Sequence, residues 1–124
     1  MSDRGWKMVR TDLFDRRVTD YNKNHKSQLK AVLANLERYV EYLEAAPFAR
    51  LISANFIHPE GRGLVALTEK GYKPKQPPTR LYAYPQQDSK TLCLITIGNK
   101  HSQKQDIKDC YRFIESLSME GTKK

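Results

Sequence analysis

Arg80-Leu81-Tyr82-Ala83-Tyr84 and Thr91-Leu92-Cys93-Leu94-Ile95-Thr96-Ile97 are the two runs whose reading decides the fold. The first alternates in polarity and ring size, as a strand does when its side chains point to opposite faces. The second is a nearly unbroken β-branched and apolar run, the strongest strand signal in the chain. Pro85 to Ser89 between them is rich in turn formers, so the pair reads as an antiparallel hairpin.

Upstream, Leu64-Val65-Ala66-Leu67 is a short apolar run that reads as a buried strand, preceded by a turn over His58-Pro59-Glu60-Gly61-Arg62-Gly63. A loop with three prolines, Pro74, Pro77 and Pro78, separates it from the hairpin. Proline lacks an N–H and fixes φ, which excludes a helix or an inner strand there. Downstream, Ser102 and Gln105 stand at capping-box spacing and Asp106 falls in a first turn. Ile107, Cys110, Tyr111, Ile114 and Leu117 then recur at helical period.

The N-terminal half reads differently. Trp6-Lys7-Met8-Val9-Arg10 alternates as a short strand, and Thr11 or Asp12 can cap a helix carrying Leu13, Phe14, Val18 and Tyr21. Tyr21 to His25 breaks that period. A longer stripe, Leu29, Val32, Leu33, Leu36, Val40 and Leu43, predicts a second helix from about Lys26 to Ala45, ended near Pro47. The order is strand, helix pair, three-stranded meander, helix. The expected fold is α+β: a small antiparallel sheet, N-terminal strand plus meander, with the helix pair and the C-terminal helix packed on it.

At 124 residues the chain suits one domain, 1–124, with its core over about 6–117. An apolar content of 39% and a charged content of 29% fit a soluble protein, and no run nears the roughly 20 apolar residues of a membrane span. No membrane partner is expected. The N-terminus lacks an apolar leader, which predicts a cytoplasmic location. Cys93 and Cys110 sit on apolar faces as small buried thiols. His25, His58 and His101 are scattered, so neither a metal site nor a cofactor is expected.

Charge is distributed unevenly. Between Lys70 and Lys104 seven of the eight charged residues are basic: Lys70, Lys73, Lys75, Arg80, Lys90, Lys100 and Lys104, against Asp88. That local excess of six, in a chain of net charge +8, points to a polyanionic partner, with RNA the leading candidate. Arg80 and Lys100 are placed to neutralise phosphate. His101 is the candidate general acid or base. Lys70, Lys73, Lys75 and Lys104 are candidate backbone contacts, and Tyr82 and Tyr84, expected on one sheet face, are candidates to stack a base.

The stretch Ile97-Gly98-Asn99-Lys100-His101-Ser102-Gln103-Lys104-Gln105-Asp106-Ile107 resembles the closing motif of the RelE/ParE superfamily of bacterial toxins. It is nearest to the HigB-like branch, which runs from a last strand through Gly-Asp-Lys-x-Ser/Thr-Gln-x-x-Asp-Ile into a helix. Gly98, Lys100, Ser102, Gln103, Asp106 and Ile107 match; Asn99 replaces the usual Asp. Val9-Arg10-Thr11 with Phe14, and Arg80-Leu81-Tyr82, are also similar to the family.

The resemblance implies the toxin of a type II toxin–antitoxin pair, an endoribonuclease that cleaves messenger RNA on the ribosome and arrests translation. It also implies a cognate protein antitoxin, with operator DNA reached only through that antitoxin. Two alternatives share the scaffold: a non-enzymatic gyrase inhibitor like the ParE branch, and a degenerate member that only binds RNA or its partner. Family toxins often keep a catalytic tyrosine or histidine near the last helix; here the tyrosine there is Tyr111, on the buried stripe.

Overall fold

The computed structural model describes residues 5–69 and 78–122, with side chains described through 117. Strand β1 (Lys7–Arg10) leads into helix α1 (Asp12–Asn24) and helix α2 (Lys26–Ala45). Strands β2 (Ile57–Gly61), β3 (Leu64–Leu67), β4 (Arg80–Gln86) and β5 (Thr91–Gly98) follow, and helix α3 (Gln103–Thr122) closes the chain. The α+β class is as expected.

The sheet departs from the antiparallel one expected. It has five strands in the order β1-β5-β4-β3-β2, and β1 runs parallel to β5. The extra strand is β2, where a turn was expected. Proline is tolerated in β2 because Pro59 sits on an edge, where a missing donor breaks no inner ladder. The actual turn is confined to Arg62 and Gly63, and with Gly61, which ends β2, these residues have φ of 91°, 57° and 84° in chain order. Three successive left-handed residues are affordable because two are glycine.

Helices cover both sheet faces. Leu67, Leu81, Ala83, Leu92, Leu94 and Ile97 pack with Phe14, Leu29, Val32 and Leu36 of α1 and α2. Ala66, Tyr82, Cys93 and Ile95 pack with Cys110 and Ile114 of α3. Burial on both sides explains the continuous apolar run of β5. Its register against β4 jumps between Tyr82↔Thr96 and Ala83↔Leu94, a bulge that inserts Ile95 without losing either face.

Two local features fix the helices. The Thr11 hydroxyl accepts the Phe14 N–H at 3.0 Å and donates to the Ile95 carbonyl at 2.6 Å, so the cap of α1 is also its tie to the sheet. α1 continues through the polar stretch where a break was expected. Only His25 leaves helical geometry (φ −139°), and its N–H still reaches the Tyr21 carbonyl at 2.7 Å. Cys93 and Cys110 are free and buried, as read from their apolar positions. No helix among the described residues is long and apolar enough to cross a membrane.

Candidate nucleic-acid interface

Four of the candidate residues, Arg80, Lys100, His101 and Lys104, lie at or just past one end of the sheet. Arg80, at the start of β4, lies opposite Gly98, the last residue of β5. The chain leaves that end of β3 through Thr68 and Glu69 and returns through Thr79. The Thr79 N–H donates to Glu69 Oε1 at 2.7 Å, which closes the base of the intervening segment. Lys70, Lys73 and Lys75 belong to that segment and lie outside the described residues. Beneath, Asn35 Nδ2 donates to the Thr68 carbonyl at 2.7 Å, and His58 Nε2 lies 3.1 Å from the Thr68 hydroxyl. Burial pushes the Glu69 carboxyl above its usual range, against the hydrogen bonds from backbone N–H groups and Gln28 that favour its charge.

Past β5 the chain makes a tight joint into α3. Asn99 Oδ1 accepts the His101 N–H at 2.8 Å, and the Asn99 N–H reaches Ser102 Oγ at 3.2 Å. Lys100, His101 and Lys104 are exposed on this joint and the first turn of α3. The Ser102 hydroxyl donates to Asp106 Oδ2 at 2.7 Å instead of completing a capping box with Gln105, whose amide turns to Asp109 at 2.9 Å. Asp106 is fully buried. Arg17 Nη1 lies 3.4 Å from its Oδ1 and donates to the Ile97 carbonyl at 3.0 Å. Burial still drives the Asp106 carboxyl above its usual range, opposed by Ser102 and Arg17. A Cβ on Gly98 would collide with Asp106 Oδ2 and Ser102 Oγ. Gly98, Ser102 and Asp106 of the motif are therefore architectural: they hold the joint on which Lys100 and His101 are displayed.

Arg80 is not a free cation. Its Nη1 lies 3.7 Å from Glu60 Oε2, both side chains being about one-fifth exposed or less. Its buried Nε has no hydrogen-bond partner among the described residues, which leaves a directed donor beside a carboxylate. Glu60 was missed in the sequence because its strand reads as a turn. The one available signal was its place one residue after Pro59, alternating with His58. The Glu60 carbonyl accepts the Tyr111 hydroxyl, so the tyrosine near the last helix is engaged in holding α3.

The two tyrosines of β4 do share a face, but it is the face beneath α3. Tyr82 is wholly enclosed, so the base stacking expected of it has no surface to occur on. Burial, then the nearby Asp106 carboxylate, raises its hydroxyl pKa well above the ordinary value. Tyr84 is half-buried against the same cluster. At this sheet end Arg80 lies opposite Gly98, which leads into the exposed Lys100–His101 joint. The Arg80 guanidinium reaches along the sheet to Glu60, near the far end of β2, and Tyr82 stays apart, enclosed beneath α3. Comparison of the chain with protein-family models, curated proteins and solved structures finds no match.

Proposed function

We propose that this chain is the toxin of a type II toxin–antitoxin pair, of the RelE/HigB kind, and that it cleaves messenger RNA on the ribosome. The observation that carries the reading is the sheet end itself. A directed arginine sits opposite the glycine from which an exposed Lys-His joint departs, with a carboxylate beside it. Cleavage by the ribose 2′-hydroxyl requires removal of its proton, stabilisation of the phosphorane and protonation of the departing 5′-oxygen. Arg80 and Lys100 supply fixed positive charge to the phosphorane. His101, on the exposed joint beside Lys100, is the general acid or base of this reading. Lys104 and the lysines of the 70–77 segment steer the RNA backbone, and the antitoxin is the protein that masks this cationic end.

The test is expression of Arg80→Ala/Lys100→Ala with transcript ends mapped and folding checked by circular dichroism. Each lost cation should slow cleavage about 10²-fold, so the double variant should neither arrest growth nor cut transcripts. A folded double variant that still does both sinks the reading. One observation favours a second reading: Arg80 is paired with Glu60, and Tyr82 and Tyr111 are engaged in packing. A member that binds RNA without cleaving it would leave transcripts intact while retaining RNA at low salt. In the same experiment a DNA-damage response with intact transcripts would instead mark the gyrase branch.

A further inference from the structure

The two edges of the sheet are treated differently. β2 is blunted by Pro59 and by a register shift between Pro59 and Gly61, devices that discourage another strand from adding there. β1 has neither. All four of its residues are exposed, and Met8 and Val9 keep 52% and 46% of their surface in solvent. The Lys7 N–H bonds inward to the Lys90 carbonyl at 2.9 Å, and the Thr11 N–H to the Leu94 carbonyl at 3.1 Å. By alternation, the N–H and C=O groups of Met8 and Arg10 face outward, unpaired among the described residues.

Beside that edge runs a groove of about 570 Å³, lined by Met8, Phe14, Val18, Leu33, Leu36 and Leu94. Its rim carries Arg10, with Asp15 3.1 Å away. Met8 and Arg10 stand on the groove side of the strand and Lys7 and Val9 on the other. Arg10 is paired with Asp15, which leaves Lys7, beside the apolar Met8 and Val9, as the cation of this strand without an ion-pair partner among the described residues.

We infer that β1 is the docking edge for an extended acidic segment of a partner protein, which adds as a sixth strand and drops apolar side chains into the groove. Backbone pairing supplies the adhesion, and the alternating pattern supplies the selectivity. A second copy of this chain is the poorer occupant. It would bring two Lys7 onto one ribbon with no carboxylate on either strand, between chains each of net charge +8. The inference is independent of the RNA reading, since it uses none of the residues assigned there.

The test uses the whole protein and a short acetylated peptide of Glu-Glu-Val-Val repeats, with a Lys-Lys-Val-Val peptide as control. The acidic peptide should bind saturably, more weakly as salt rises, and slow hydrogen exchange at the Met8 and Arg10 amides. Met8→Pro removes an outward N–H that no inner bond needs, and should weaken binding about tenfold with the fold intact. Should that variant not fold, Met8→Glu serves, repelling the peptide while leaving the backbone alone. Equal binding of both peptides, protection elsewhere than β1, or binding indifferent to these variants overturns the inference. So does a concentration-dependent dimer that protects the same amides without peptide, which would assign the edge to a second copy.

Discussion

Asp106 carries a carboxylate where water does not reach, and three other residues exist in their present form because of it. Ser102 and Arg17 bind it, and Gly98 is small so that it can approach the end of β5. Gly98→Ala should therefore cost roughly 2–4 kcal/mol by disrupting a buried polar network, measurable as a lower urea midpoint with an unchanged slope. Glu69 is the second buried carboxylate. Burial raises its pKa and that of Asp106 when folded. Both sites then bind protons more tightly in the folded chain. The associated stability is complete below the ordinary carboxylate range and is lost as pH rises through the folded values. Glu69→Gln keeps an acceptor for the Thr79 N–H and removes that site's titration. Its melting temperature at about pH 7.5 should equal or exceed the parent's, and the decline from about pH 5 should be shallower. A steeper decline would contradict the assignment.

Helix α3 is attached to the rest of the fold by an apolar stripe and by polar contacts at Asp106, Tyr111 and Glu115. The Tyr111 hydroxyl meets the Glu60 carbonyl, the Arg62 guanidinium lies 4.7 Å from the Tyr111 ring centre, and Arg62 Nη1 reaches Glu115 at 3.2 Å. Removing only the hydroxyl, by Tyr111→Phe, should cost about 1 kcal/mol and speed amide exchange along α3 more than along α2. Exchange that rises uniformly would mean the Tyr111 contact is not local to α3. The helix itself was plain in the sequence from the period of Ile107, Cys110, Tyr111, Ile114 and Leu117. Its partner strand was not. His58-Pro59-Glu60-Gly61 contains two residues that propensity assigns to turns, and β2 exists because β3 offers it an open edge to pair with.

At the scale of the molecule, the RNA reading makes the exposed lysines of the joint the source of a salt-dependent attraction. If RNA lies across that joint, log affinity should fall linearly with log salt. Lys100→Ala and Lys104→Ala should each reduce the slope by about 0.7. Filter binding across a salt series measures this, and a slope unmoved by either change would place the RNA elsewhere.

Periodicity and turn chemistry determined the helices, the hairpin of β4 and β5, and the helical run that follows, because each depends on neighbours a few residues apart. The crowding of cations between Lys70 and Lys104 was equally a property of the chain alone. Only the tertiary structure decided that β1 runs parallel to β5, that Arg80 is paired with Glu60, and that Tyr82 is enclosed. Those outcomes rest on contacts between distant residues, such as Lys7 with Thr91 and Arg80 with Glu60, whose direction and distance no local pattern encodes.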